Sequence, residues 1–216
     1  MHQILKVKAV IFDRDGVIIN TEGVLIDSVK KAFKELGFIV QKEDIPQIIG
    51  RSYDVYKDYF LSKWDFDFEE YRRIQKELYY SNLDKAKFFE DTLELIKTLH
   101  AKKIPIAVTT SAGRDGTLLI LGKAGIDQMF NVIVTKEDCK NLKPDPEPYI
   151  TTAKKLQIES KFCVVIEDTA LGVEAAKKAG MMCITIPNEF TKNQNFSMAD
   201  VVVKSAKEVE NILEFI

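Results

Sequence analysis

A short apolar run, rich in β-branched residues, recurs along this chain with a helical pattern between most repeats. Val7–Phe12 is the first, and Ile104–Thr109, Val132–Thr135, Phe162–Ile166, Cys183–Ile186 and Val201–Val203 follow. Continuous runs of this length fit strands buried on both faces, as in a parallel sheet. Parallel neighbours need a crossover, and the intervening segments supply it. Thr92–Lys103 carries Leu93, Ile96 and Leu99 on one stripe. Thr117–Gly125 and Leu171–Gly180 each end at a glycine, a helix stop, and Asp145–Gln157 has prolines near its start. The alternation predicts an α/β fold with a doubly wound, mostly parallel sheet.

Residues 17–85 break that pattern and read as all-helical. Ile26–Phe38 has Val29, Ala32, Phe33 and Leu36 at helical spacing, and Ser52–Trp64 and Phe68–Tyr80 follow. The expected organisation is a catalytic core of 1–16 and 86–216 with a helical cap at 17–85. An insertion after the first strand leaves from the edge where open α/β sheets bind ligands, so it is placed to act as a lid. Its aromatic surplus, Tyr56, Phe60, Trp64 and Tyr71 among others, fits packing between helices, with lining of a pocket as the alternative.

The chain has 216 residues, 46% hydrophobic and 30% charged, with a net charge of −2. That is a folded protein's composition, and its bulk charge excludes a strongly basic nucleic-acid binder. No apolar stretch approaches a membrane span, and the start lacks a signal-peptide pattern. Cys139, Cys163 and Cys183 form no metal-binding spacing and are expected as reduced thiols, which points to the cytoplasm.

The polar residues expected at strand ends carry the chemistry. Asp13 and Asp15 follow the first run, Thr109-Thr110-Ser111 the second, and Glu167-Asp168 a later one, while Lys143 precedes a helix. A parallel sheet gathers such ends on one edge. Carboxylates this close raise one another's pKa, and a hard divalent cation resolves the conflict. The set therefore reads as magnesium plus phosphate. A carboxylate can attack phosphorus, a second can move the proton, and a hydroxyl and an ammonium can hold phosphoryl oxygens. If the chain stays extended past Phe12, Asp13 and Asp15 point the same way and Arg14 elsewhere, with Gly16 allowing a sharp turn. Taken singly, each piece has an ordinary structural use. Asp168, for one, could cap the following helix.

The motifs "FDRDGVIINTE", "IAVTTS", "LKPDPEPY" and "VVIEDTALGVEAAKKAGM" together resemble the haloacid dehalogenase-like hydrolase superfamily, in its helical-cap subfamily with β-phosphoglucomutase and phosphoglycolate phosphatase. The resemblance implies a Mg²⁺-dependent phosphatase that hydrolyses a small phosphorylated metabolite through an aspartyl-phosphate. It makes Asp13 the nucleophile and a metal ligand, and Asp15 the general acid/base with its backbone carbonyl on the metal. Thr110 and Lys143 would bind phosphate, helped by backbone amides near Gly16 and Ser111. Asp168 would ligate the metal, with Glu167 a ligand or its outer partner. Gly50 and Arg51 match a cap segment that often reaches substrate. A monomer or weak dimer is expected, with no nucleic-acid or membrane partner.

Departures from the family pattern bear on the alternatives. The position between the two aspartates is usually apolar, but here it is Arg14. The mutase's cap histidine is replaced by Leu25, which disfavours a sugar phosphate mutase. The acid usual before Thr-Glu is Asn20. A dehalogenase needs neither Asp15 nor the acidic fourth motif. A receiver domain would lack the helical insertion, and a silent phosphate-binding protein would release no phosphate.

Overall fold

The protein is seen in a computed structural model that describes residues 4–49 and 53–216. The first apolar run is split. Strand β1 (Leu5–Val7) ends at a bend on Lys8, and β2 (Ala9–Phe12) begins after it with every residue buried. The short β3 (Ile19–Asn20) leads into helices α1 (Glu22–Glu35), α2 (Tyr53–Lys63) and α3 (Phe68–Ser81), and β4 (Lys87–Phe88) follows them. The rest alternates: α4 (Glu90–Ala101), β5 (Ile106–Thr109), α5 (Arg114–Lys123), β6 (Val132–Val134), α6 (Glu147–Leu156), β7 (Cys163–Glu167), α7 (Ala170–Lys178), β8 (Met182–Thr185), β9 (Val201–Val202) and β10 (Leu213–Phe215). The chain divides into two compact units, one made of the segments through Ile19 and from Phe88 onward, the other of Asn20–Lys87.

The first unit is built on a six-stranded sheet in the order β6-β5-β2-β7-β8-β9, parallel at every pairing. The two-residue side-chain period divides β2 between two cores. Val10 and Phe12 pack with Ile96 and Leu99 of α4 and Leu121 of α5. Ala9 and Ile11 pack with Tyr149 and Ala153 of α6 and Val173 and Ala176 of α7. Helices therefore cover both faces. The predicted single strand at Val7–Phe12 is corrected because β1 pairs instead with β10, Leu5 opposite Leu213. Cys163 and Cys183 lie buried in β7 and β8 as free thiols.

The second unit keeps its own interior. Phe33 of α1 stacks on Tyr71 of α3 at 4.2 Å between centroids. Phe60 and Trp64 of α2 and Phe66 surround the same ring at 4.6, 5.0 and 5.1 Å. Tyr56, Phe60 and Tyr71 are buried in this cluster, so these aromatics pack against one another. Gly37, at φ +86°, ends the turn after α1, and Asp67 caps α3 by accepting the Glu69 and Glu70 amides.

Candidate active site

Sheet register puts the charges in a row. Phe12 of β2 lies opposite Val108 of β5 and Ile166 of β7. One residue further on, these three strands reach Asp13, Thr109 and Glu167. The Asp13 amide donates to the Ile166 carbonyl at 3.0 Å, which fixes its level beside β7. Lys143, from the loop before α6, donates its ammonium to Asp13 Oδ1, to Glu167 Oε1 at 2.7 Å and to the Thr109 carbonyl at 3.3 Å. Asp13 and Glu167 are buried, and the Lys143 side chain is only 8% exposed.

Glu167 is the better supported acid. Its Oε1 also accepts from the Tyr149 hydroxyl at 2.9 Å. Its Oε2 accepts from the Asp168 and Thr169 amides and the Thr169 hydroxyl at 2.9, 3.0 and 3.0 Å. The Tyr149 ring lies 4.8 Å from the Lys143 nitrogen, so a cation–π contact steadies the same lysine. Burial works against both carboxylates. Glu167 is nevertheless held below its ordinary value, by the Lys143 charge and by these bonds. Asp13 has less support. Burial pushes it up to about 7 against the pull of Lys143, and Glu167 and Asp15 add to the rise. Burial alone would lower Lys143, but Asp13 and Glu167 together hold it above its ordinary value. One buried lysine thus serves two acids whose affinities for protons are pushed apart.

Two glycines sit against the carboxylates. Gly16, at φ +80°, turns the chain after Asp15, and a Cβ there would lie 2.0 Å from Asp168 Oδ2. A Cβ on Gly172 of α7 would lie 1.7 Å from Glu167 Oε1. Glycine to alanine inside a helix ordinarily stabilises by about 1 kcal/mol. Here the carboxylate is buried and bonded on both oxygens, so it cannot swing aside. Gly172→Ala is expected to destabilise the protein by about 1–3 kcal/mol, read from urea unfolding. A gain in stability would show that Glu167 is free to move.

Arg14 does not point away from the site, as the sequence spacing implied. Its Nη2 donates to Asp15 Oδ1 and Oδ2 at 2.8 and 2.6 Å, and its Nε to Oδ2 at 3.0 Å. The other side of the guanidinium, Nη1, donates to Thr117 Oγ1 at 3.0 Å. The residue is 3% exposed, so its partners are in the protein and not in solvent. The chain is not extended here. The Arg14 carbonyl accepts the Ile18 and Ile19 amides in a tight turn, and the Gly16 amide donates to the Ile19 carbonyl at 2.8 Å. The Gly16 amide is therefore already engaged within that turn.

Thr110 lies beside Asp15, its hydroxyl 3.4 Å from Oδ2, and also accepts the Ala112 amide. Ser111 occupies the half-buried bend that follows. Gly50 and Arg51 lie outside the described residues. Asp168 is not the helix cap; Thr169 is, its side chain accepting the Gly172 amide. Asp168 Oδ2 instead accepts from Asn188 Nδ2 at 2.7 Å. Tyr149, Thr117 and Asn188 did not stand out in the sequence. Only Tyr149 left a signal, as the aromatic closing "KPDPEPY".

Side-chain oxygens of Asp13, Glu167 and Asp168 all lie within 4.8 Å of one another. Buried oxygen donors from acids, converging this closely, fit a hard divalent cation. Asp15 adds no side-chain oxygen to that group, which leaves its carboxylate to other work.

Comparison with known proteins agrees with this geometry. A family model described as haloacid dehalogenase-like hydrolase matches residues 10–186. The chain is 33% identical over 188 residues to the chloroplastic protein Suppressor of Quenching 1 of Arabidopsis thaliana, covering 84% of this chain but only 18% of that much longer relative. It is 30% identical over 186 residues to the phosphorylated carbohydrates phosphatase of Thermotoga maritima, covering 81% of this chain and 82% of that one. Among solved structures, CbbY from Rhodobacter sphaeroides superposes with a TM-score of 0.84 over 94% of this chain and 96% of that one, at 22% identity, which speaks to the fold. The chain belongs to the haloacid dehalogenase-like hydrolase family, as an enzyme of its phosphatase kind.

Proposed function

We propose that the protein is a magnesium-dependent phosphomonoester hydrolase that acts on a small phosphorylated metabolite through an aspartyl-phosphate at Asp13. The observation that carries this reading is the buried Asp13 carboxylate at a strand end, held by Lys143 and crowded by Glu167 and Asp168. The Asp13 carboxylate attacks phosphorus and the bond to the ester oxygen breaks. Asp15 gives a proton to that departing oxygen. Asp15 then takes a proton from water, whose oxygen attacks the acyl phosphate. Inorganic phosphate leaves and Asp13 is restored.

Thr110, Ser111 and Lys143 hold the phosphoryl oxygens as charge develops, and Gly16 supplies the turn that makes room. Asp13 and Asp168 would hold the ion with the Asp15 carbonyl, while Glu167 orients Lys143 beside them. Bound Mg²⁺ would offset the acids and draw charge from the phosphoryl group. The Thermotoga relative is named for phosphorylated carbohydrates, and a phosphate ester of that size is the substrate class assigned here. Leu25, where the mutase has histidine, leaves the sugar phosphate mutase as the lesser reading.

Phosphate release from a panel of monoesters, with Mg²⁺ and with EDTA, tests the activity. Release only with Mg²⁺ is expected. Conversion of β-glucose 1-phosphate to glucose 6-phosphate without release would instead make it a mutase. Ion binding has its own signature. Asp13 titrates at about 7 without metal, and the ion needs it ionised. Binding should therefore release roughly nine-tenths of a proton at about pH 6 and about one-tenth at about pH 8. Calorimetry in buffers of different ionisation enthalpy counts those protons. Release that does not fall with pH would remove Asp13 from the ion's ligands.

A further inference from the structure

We propose that Arg14 is a latch on Asp15, one that must let go before Asp15 can meet the leaving group. The inference rests on the reading of Asp15 as the acid that protonates the ester oxygen. A carboxyl delivering a proton needs an oxygen turned toward that ester. In this structure both Asp15 oxygens face one guanidinium, in a two-pronged pair closed by Nη2 and Nε. Paired charges in this geometry hold each other more firmly than neutral partners do.

The guanidinium is also anchored from behind. Thr117 is fully buried. Its hydroxyl accepts from Arg14 Nη1 and donates its own proton to the Gly113 carbonyl at 2.9 Å. The threonine is committed in both roles, so Arg14 has a fixed seat on α5 and Asp15 is drawn to it. Thr110, at 3.4 Å from Asp15 Oδ2, makes the weaker contact of the two. Arg14 and the leaving oxygen therefore compete for the same carboxyl. The step that waits on Asp15 is slower than the bare acid would allow, and steps that need no proton are untouched. Arg14 acts through Asp15 and touches no reacting atom, so it is a positioning residue that works by restraint.

Two esters separate this from a structural role. Nitrophenolate leaves from p-nitrophenyl phosphate without a proton, whereas an alkoxide leaves an alkyl phosphate only with one. Arg14→Leu is expected to raise kcat/KM on the best alkyl phosphate of the panel by about tenfold, the rate equivalent of a charge-assisted hydrogen bond that need not be broken. On p-nitrophenyl phosphate kcat/KM, which ends at departure of the leaving group and so leaves out the later hydrolysis that also uses Asp15, should stay within about twofold. Thr117→Val removes only the anchor, and should move the ratio of the two rates in the same direction by less. It also decides the matter if Arg14→Leu fails to fold. A fall on the alkyl ester, an equal change on both esters, or no change would overturn the latch. Asp15→Asn guards the underlying reading. If that variant loses no more kcat/KM on the alkyl ester than on p-nitrophenyl phosphate, Asp15 is not the acid, whatever Arg14 does.

Discussion

Asp13→Asn abolishes phosphate release, by at least about 10⁴-fold, the scale on which removing a nucleophile acts. An amide oxygen carries no charge and is a poor nucleophile, and the acyl phosphate cannot form on it. The same substitution should leave the fold intact. Asparagine has nearly the same shape, and Lys143 keeps its bond to Glu167. Asp13 is moreover the less supported acid, pushed up to about 7 by burial. A neutral side chain removes a charge that the surroundings disfavour. Without metal, at about pH 8, the variant should melt no lower than the wild type. An inactive but fully folded protein is the expected pair of results. Turnover near the wild-type rate would remove Asp13 as nucleophile.

Lys143→Met should lower kcat by about 10²–10³-fold, the loss typical when a preorganised donor to developing charge is removed. It should also cost stability. Methionine fills similar space but leaves Asp13 and Glu167 buried without their shared cation, and breaking a buried pair costs about 3–5 kcal/mol. The pH dependence fixes the cause. With the cation gone, Asp13 is raised further above its ordinary value of 3.8, and Glu167 rises as it loses the charge that holds it below its ordinary value of 4.5. A raised carboxyl favours the fold fully below its unfolded pKa, and that benefit is lost as pH rises through the folded pKa. The variant should therefore lie near the wild type at about pH 5 and fall well behind at about pH 8, in urea unfolding with EDTA present. A difference that does not change with pH would mean that Lys143 supports the fold by packing and not by charge.

The strands of the central sheet and the line of acids at its edge were legible because they rest on local rules. β-branched runs bury on both faces, and parallel strands bring their ends together. Asp13, Lys143, Glu167 and Asp168 converge as that rule requires. What was not legible depends on the turn after β2. Alternation along a strand sends Arg14 away from Asp15 only while the chain is extended, and here it curls back within a few residues. The guanidinium then finds Thr117, more than a hundred positions along the chain. Asn188 is likewise an ordinary loop residue until the fold sets it beside Asp168. The pairing of β1 with β10 was missed because runs of three residues carry too little pattern.

The aromatic interior of the helical unit has a consequence for how such an enzyme changes over generations. Phe33, Phe60, Trp64 and Tyr71 satisfy one another, and the acids, lysine and tyrosine of the charge cluster all come from the other unit. A segment with an aromatic interior of its own, from which none of those named groups comes, can drift or be traded as a block. The delicate balance of buried acids around one lysine need not be found anew each time. Inheritance of the reaction and inheritance of the inserted block are, on this architecture, separable events.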